Sequence, residues 1–183
     1  MSGPGGAPRL RVAEAAEVAA LRAVIAASAR GLALGDYSAA QIEAALGTAW
    51  GVDSELIGDR TYFVAEMDGA LAGCGGWSRR HALFGADAQP GRSSALLNPA
   101  IDAARIRAFF VHPSYARRGV GRALLMHCEA QARAHGFAAA ALMATLPGVR
   151  LYRRFGYIAD TPTEHALPGG LTITFVPMRK SPL

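Results

Sequence analysis

The stretch HPSYARRGVGRALL, from His112 to Leu125, sets paired arginines directly before a glycine pair and an apolar, helix-like run. It follows RIRAFFV, Arg105 to Val111, which alternates like a strand and is stopped by Pro113. The order is therefore strand, loop, helix. The first N–H groups of a helix have no intrahelical partner, and the macrodipole adds about half a positive charge there. Gly119 and Gly121 carry no Cβ, so a bulky anion can approach the backbone around Val120. Arg117, Arg118 and Arg122 add charge-assisted donors, each worth roughly 1.5–3 kcal/mol when partly desolvated. The pattern reads as a cradle for a phosphate or pyrophosphate. The competing reading is a basic surface helix that begins with glycine and holds no ligand.

Two other phosphate loops do not fit. A Walker A loop needs a lysine after its second glycine, and none stands here. A dinucleotide fingerprint needs a third glycine where Leu124 lies, and an acidic residue about 20 positions on, where Ala138 to Met143 offer none.

Composition bounds the remaining possibilities. A chain of 183 residues with 51% hydrophobic and 18% charged content is enough for one globular domain with its own core. The net charge is +5, yet Lys180 is the only lysine. Arginine, alanine and glycine enriched together fit a GC-rich coding bias, so the charge favours anionic ligands without implying nucleic acid. A nucleic-acid face would interleave basic and aromatic residues, whereas the arginines here gather chiefly at one loop. Cys74 and Cys128 are far apart and show no metal-ligand spacing, so no metal is expected and both read as buried thiols of a reducing compartment. The first residues, MSGPGGAP, lack the pattern of a signal peptide. The longest apolar run, Phe137 to Leu146, is too short to span a bilayer. A cytoplasmic protein with no membrane partner is expected.

Along the chain, residues 1–8 read as a flexible tail and Pro8 to Val12 as a first strand. Ala13 to Ala29 reads as a helix, with Val18, Leu21 and Ile25 on one stripe, ended by Gly31 and Gly35. Ser38 caps a second helix, Ala39 to Leu46, with Glu43 near the capping-box position. Thr61 to Met67 and Ala70 to Trp77 flank Asp68-Gly69, a strong hairpin signal because both turn residues need positive φ. Ser78 to Ala103, containing Gly85, Pro90, Gly91, Ser93, Ser94 and Pro99, is long and aperiodic, and such connections are usually functional or mobile. After the helix Gly119 to His135, Phe137 to Thr145 is ambiguous: alanine propensity favours helix, its position favours a buried strand. Pro147 opens a short helix to Phe155, and Tyr157 to Ala159 and Leu171 to Val176 read as strands.

VHPSYARRGVGRALL, followed about thirty residues on by LYRRFGY, resembles the GCN5-related N-acetyltransferases. The family core is Q/R-x-x-G-x-G/A after a strand. Ala116 to Gly121 match both glycines and carry Ala at the first position, with Arg117 beside it. Tyr152 to Tyr157 match Y-x-x-x-G-[FY]. The order of elements matches from about Leu10 to Met178. The resemblance implies an α+β fold, a mixed and mostly antiparallel sheet flanked by helices in a single domain over residues 9–183, with a long insertion at about 78–103. It also implies that Phe137 to Thr145 is a strand.

The same resemblance implies acetyl-coenzyme A as acetyl donor and an amine of a small molecule or protein as acceptor. Its pyrophosphate would lie on Arg117, Arg118, Gly119, Val120, Gly121 and Arg122. Its pantetheine would pair with the backbone of Phe109, Phe110 and Val111, one N–H of which would polarise the thioester carbonyl. Thr145 stands where many relatives carry asparagine. Tyr152 matches the family acid, a phenol that protonates the departing thiolate, against the plain reading of a core tyrosine. RIRAFFV carries no carboxylate to serve as base, which leaves Asp102, Glu66, His81 and Asp87 as candidates, while His112 satisfies loop backbone. Arg30 to Ser38, with Asp36 and Tyr37, and the 78–103 segment, with Arg79, Arg80 and His81, would line the acceptor pocket. Family members often form homodimers, so a homodimer is also compatible. The alternative to an enzyme is a non-catalytic acyl-coenzyme A-binding or sensing domain of the same fold.

Overall fold

The computed structural model of the chain describes residues 6–82 and 93–183. The first five residues and the middle of the expected insertion, with Gly85, Asp87, Pro90 and Gly91, lie outside them. Strand β1, Arg9–Val12, pairs antiparallel with β2, Tyr62–Met67, which turns back into β3, Ala70–Ser78. The turn is the expected one, with Asp68 at φ 53° and Gly69 at φ 78°. β3 pairs antiparallel with β4, Ala104–Val111. β5, Ala140–Thr145, then lies parallel to β4 and antiparallel to β8, Thr172–Lys180. Two short strands, β6 (Ile158–Ala159) and β7 (Thr163–Ala166), pair with successive parts of β8. The sheet order is β1-β2-β3-β4-β5-β8-β6, with β7 also on β8. The mixed, mostly antiparallel sheet is the one the family resemblance implied.

Alternation along the strands feeds two apolar layers. Phe63, Ala65, Ile106 and Leu142 face α4, Val120–Ala134, which buries Val120, Leu124, Leu125, Cys128 and Ala132 against them. Tyr62, Val64 and Cys74 face the opposite side and meet Leu21, Val24 and Ile25 of α1, Val18–Leu32. On that second side α2, Ala39–Ala45, covers Ile173 and Phe175 of β8 through Ile42 and Ala45. Strand β5 shows the alternation clearly. Ala140, Leu142 and Ala144 are buried toward α4, while Ala141, Met143 and Thr145 are half-buried on the α1–α2 side. That two-sided packing is why FAAAALMAT is a strand despite its alanines: tertiary burial outweighs a propensity of less than about 1 kcal/mol per residue. Phe137 to Ala139 precede the strand rather than belong to it.

The centre of the sheet opens. β4 and β5 pair only at Ala104↔Ala140 and Arg105↔Ala141, and then diverge. Just beyond, Ala108 stands at φ 55° and the β3–β4 register slips, so that Ala108 and Phe109 together oppose Gly75. A side chain on Gly75 would place its Cβ 2.7 Å from the Phe109 ring, so the glycine makes room for the bulge. A left-handed alanine costs about 1–2 kcal/mol. The Tyr62 hydroxyl donates to the Ala108 carbonyl at 3.4 Å.

A buried ion pair sits beside this bulge. Arg107 and Asp53 are joined through Nη2 and Oδ2, and both side chains are 1% exposed. Glu55 Oε2 lies 3.7 Å from Arg107 Nη1. Asp53 also caps α3, Ser54–Gly58, a helix the sequence pattern did not announce. Arg80 clamps the same region by donating to both Asp59 oxygens at 2.7 and 2.8 Å, and holds the Asp59 carboxyl below its usual range.

Three expectations change. The first helix starts at Val18, after a 3-10 turn at Ala15–Glu17, and runs through Gly31 to Leu32. The capping box of α2 uses Gln41, three residues after Ser38, while Glu43 pairs with Arg30 at 2.6 Å. The last strand continues past Val176 to Lys180, with β7 folded against it. Gly31 is not a stop signal: a Cβ there would lie 2.4 Å from Pro113 Cγ, so α1 and the loop after β4 touch backbone to ring. Gly31→Ala should therefore cost stability, by about 1–3 kcal/mol for overpacking, although alanine gains about 1 kcal/mol in a free helix. Urea unfolding measures this, and a stabilised variant would refute the contact. Asp53→Asn keeps a helix-capping residue and strips the Arg107 guanidinium of its closest counter-charge. It is expected to cost about 3–5 kcal/mol, with part recovered when Arg107→Met is added. A loss below about 1 kcal/mol would mean that Glu55 alone holds the guanidinium.

Candidate functional site

The loop between β4 and α4 begins with a 3-10 turn, Pro113–Tyr115, capped by His112 Nδ1, which accepts from the Ser114 N–H at 3.3 Å. His112 thus satisfies loop backbone, as expected. Arg117 at φ 64° and Gly119 at φ 88° then swing the chain into the helix. The first intrahelical bond is Ala123 N–H to the Gly119 carbonyl, at 2.9 Å. The N–H groups of Gly119, Val120, Gly121 and Arg122 therefore precede the helical ladder and point out of its N-terminus. A Cβ on Gly121 would come 3.2 Å from Leu151, so this residue also lets α5, Val149–Arg154, pack close. Arg117, Arg118 and Arg122 are exposed around the turn. Arg118 is tethered: its Nη2 lies 2.9 Å from Asp68 Oδ2 and its guanidinium stands 5.2 Å from the Tyr115 ring. That tether leaves Arg117 and Arg122 as the freer cations.

Where β4 and β5 part, a narrow cleft of about 60 Å³ remains. It is lined by the backbone edge of β4 from Ile106 to Phe110, by Met143 and Thr145 of β5, by Tyr152 of α5, and by Trp50 and Phe175 from the α2 side. The three β4 residues expected at the cofactor differ in what their backbones do. Phe110 and Val111 stand in the β3 ladder register opposite Cys74 and Gly73. The Val111 N–H donates to Ser28 Oγ of α1 at 3.2 Å. Phe109 is paired with neither β3 nor β5. The bulge thus releases one backbone unit at the mouth of the cleft.

Tyr152 is buried at one wall. Its ring lies edge-on to Phe109, with centroids 6.3 Å apart, and to Tyr157, at 5.7 Å. Burial pushes its phenol well above the ordinary value, with Cys128 adding to the shift. Gly148 lets the turn into α5 close, since a Cβ there would lie 3.1 Å from Thr145 Oγ1 and 3.3 Å from the Tyr152 ring. Thr145, Phe109 and Tyr152, which the sequence separates by up to 43 positions, are brought together here.

Two of the expected bases are engaged away from the cleft. Glu66 Oε1 accepts from Arg11 at 2.7 Å on the β1–β2 edge. Asp102 Oδ2 accepts from the Asn98 N–H at 2.7 Å and closes a turn. His81 is exposed beside β3, and Asp87 lies outside the described residues. Tyr37 is a strut rather than a pocket residue: its hydroxyl donates to the Thr174 carbonyl at 2.7 Å and accepts from the Leu146 N–H at 2.8 Å. Desolvation raises that phenol to about 12. Asp36 is exposed on the loop before it. Trp50 and Arg107, which line the cleft, and Ser28, which holds the Val111 N–H, were not singled out from sequence. Trp50 and Ser28 lie far in sequence from the glycine–arginine loop, and Arg107, on the strand just before it, is marked by no local pattern. Among the described residues no group of three or more His, Cys, Asp or Glu side chains is placed to hold a metal, and no helix is long and apolar enough to cross a membrane.

Comparison with known proteins agrees with this geometry. No curated protein matches the chain. Among solved structures, a GCN5-related N-acetyltransferase from Rhodopseudomonas palustris superposes with a TM-score of 0.71 at 24% identity, covering 97% of both chains. A PaiA N-acetyltransferase from Thermoplasma acidophilum in complex with coenzyme A gives 0.66 at 16% identity, covering 96% of this chain and 99% of that one. A ribosomal-protein-alanine N-acetyltransferase from Brucella melitensis gives 0.60 at 17% identity, covering 94% and 99%. These likenesses establish a common fold. The family model for the acetyltransferase (GNAT) family matches residues 25–157, from within α1, across the β4–α4 loop, to Tyr157. The chain belongs to the acetyltransferase (GNAT) family.

Proposed function

We propose that the protein is an acetyl-coenzyme A-dependent N-acetyltransferase that works by direct attack of an amine on the thioester. One observation carries the reading. The bare N-terminus of α4, flanked by Arg117 and Arg122, opens beside a cleft whose wall holds both the unpaired Phe109 backbone and Tyr152. The N–H groups of Gly119 to Arg122 would hold the pyrophosphate, with Arg118 as a fixed positive neighbour. The pantetheine would run along β4 from Val111 toward Phe109. Ser28 Oγ, which takes the Val111 N–H in the protein alone, marks where a pantetheine carbonyl would accept the same bond. The Phe109 N–H would meet the thioester oxygen as negative charge develops.

Acetyl-coenzyme A supplies the activated acetyl group. The amine nitrogen forms the new C–N bond, the C–S bond breaks, and the thiolate needs a proton. A thiol of pKa about 8.5 leaves poorly as its anion at pH 7, so a positioned acid helps. Burial keeps the Tyr152 hydroxyl protonated above its ordinary value, which suits a donor. An alkylammonium of pKa about 10.4 is neutral in only about one molecule in 10³ at pH 7. The cleft lining includes no carboxylate or imidazole among the described residues. The amine therefore either arrives neutral or loses its proton through water. That same lining supports the second reading, a domain that holds an acyl-coenzyme A without turnover.

Free-thiol release from acetyl-coenzyme A over a panel of amines, amino acids, polyamines and peptides separates the two. The enzyme reading expects release with at least one acceptor class. Tyr152→Phe should then lower kcat by about 10²-fold while coenzyme affinity holds. The rate should climb with pH as the acceptor deprotonates. It should show no alkaline loss below about pH 10, because the folded Tyr152 phenol titrates above its unfolded value of about 10. Tight coenzyme binding with no release from any acceptor selects the binding domain.

A further inference from the structure

The α1–α2 face of the sheet is covered by helices over β3, β4 and the first half of β8, but not at its far end. There a groove of about 430 Å³ opens over β5, β8 and β6. Strand register builds it. Arg105 is the lateral partner of Ala141, Ala141 of Arg179, and Arg179 of Ile158, so the four stand in one row across the sheet. Adjacent strands are about 4.8 Å apart, which sets the two arginine backbones roughly 10 Å apart with only an alanine between them. The next row is Met143 and Pro177, and the third is Thr145 and Phe175. The groove thus begins between two guanidinium groups, runs over an apolar floor, and reaches Met143, which also lines the cleft at Tyr152.

The charges at the near end are short of counter-ions. Arg105 is half-buried, and its Nε has no hydrogen-bond partner among the described residues. Burial pushes its guanidinium down from the ordinary value, Asp102 opposes this, and Arg179 adds to it. Two carboxylates stand nearby, Asp102 acting on Arg105 and Asp160 at the rim, and neither forms an ion pair with Arg105 or Arg179 among the described residues. Asp102 holds the Asn98 N–H, and Asp160, at the rim, accepts from the Thr161 N–H at 2.7 Å. Lys180 points through the other face, 2.7 Å from Glu129. Two like charges flanking a hole, one of them partly desolvated, are stabilised by an anion placed between them.

We propose that this groove binds the carboxylate of the acceptor, so that the preferred acceptor is a short amine bearing a carboxylate at its far end. The inference rests on the acetyltransferase reading for the position of the amine. From the Ala141 row to the Thr145 row is four residues, or roughly 13 Å at 3.3 Å per residue. Arginine side chains shorten that distance, and a tripeptide extended over about 10 Å spans it. A free amino acid is too short to touch both ends. The apolar floor of Met143 and Pro177 favours a hydrophobic middle residue.

Gly-Leu-Gly, its C-terminal amide and glycine are the discriminating acceptors, assayed by thiol release with the wild type and with Arg179→Gln. Arg179 is exposed on the last strand, so its replacement spares the core. The wild type should favour the free acid over the amide by at least about tenfold in kcat/KM, through KM, and glycine should be poor. In Arg179→Gln the acid-to-amide ratio should fall to near one, and rising salt should erode the wild-type preference. Equal use of acid and amide by the wild type, or a preference that survives in Arg179→Gln, overturns the groove and leaves acetyl transfer standing. If no acceptor releases thiol, the acetyltransferase reading fails on its own. Calorimetric titration of the two tripeptides with coenzyme A present then decides the groove. Tighter binding of the acid, lost in Arg179→Gln, supports it, and no difference refutes it. A dimer that buries Arg179 and dissociates in Arg179→Gln would also overturn it.

Discussion

The parting of β4 from β5 after Arg105 is the constraint on which the site depends. Parallel strands normally keep their ladder, and an opened ladder leaves backbone donors and acceptors without partners. Here the cost is contained by three local devices. Ala108 takes a left-handed conformation that shifts β4 by one residue, Gly75 leaves room for Phe109 over the slip, and Ser28 reaches from α1 to the Val111 N–H. What stays unpaired is the Phe109 backbone, at the point where the proposed reaction needs a donor. The bulge therefore decides which β4 N–H faces the opened side, and in the proposed reaction that group belongs to Phe109.

Holding such a bulge requires a rigid surround, and the ion pair beside it supplies one. Arg107 is adjacent in sequence to Ala108, and its buried guanidinium is locked to Asp53 at the start of α3. Burying both charges is expensive, and a well-packed apolar pair would often be as stable. The pair is therefore better understood as fixing position than as adding stability. It ties β4 to a segment that also carries Trp50 and Gly51 into the cleft. Glu55, Asp59 and Arg80 extend the network to the end of β3. One face of the sheet is thereby neutralised around the cleft, whereas the α4 end keeps its positive field.

Much of this was legible in the sequence, and the remainder is instructive. The hairpin at Asp68-Gly69, the helix after Gly119 and the tyrosine of LYRRFGY are local signals, in which a few neighbouring residues determine the backbone. Gly31 was misread because its reason is Pro113, 82 positions away. α3 was missed because five residues capped by Asp53 show no periodicity. The identity of FAAAALMAT followed from family resemblance, not from its own propensity. Arg107 and Asp53 carry no joint pattern at all, since a pair made across the sheet exists only once register is known. Of the carboxylates that the sequence offered, Glu66 is held by Arg11 and Asp102 by a turn at Asn98, while Asp87 lies outside the described residues.

Register also explains how one stretch of β8 performs two unrelated tasks. Arg179 and Lys180 are neighbours in the chain, but a strand sends successive side chains to opposite faces. Lys180 passes to the α4 side and pairs with the buried Glu129, also standing 5.8 Å from the Tyr157 ring, so it closes the core beneath Tyr152. Arg179 passes to the other side, where Ala141 keeps it apart from Arg105. In the folded protein the lysine is neutralised and structural, while the arginine remains the exposed half of a gap between like charges. Such a gap persists only where the two cations are held apart by the sheet itself, and an anion entering it needs no rearrangement of the backbone. The same strand geometry that opens the cleft at Phe109 therefore sets the arginine gap about four residues behind it, on the face from which an acceptor would approach.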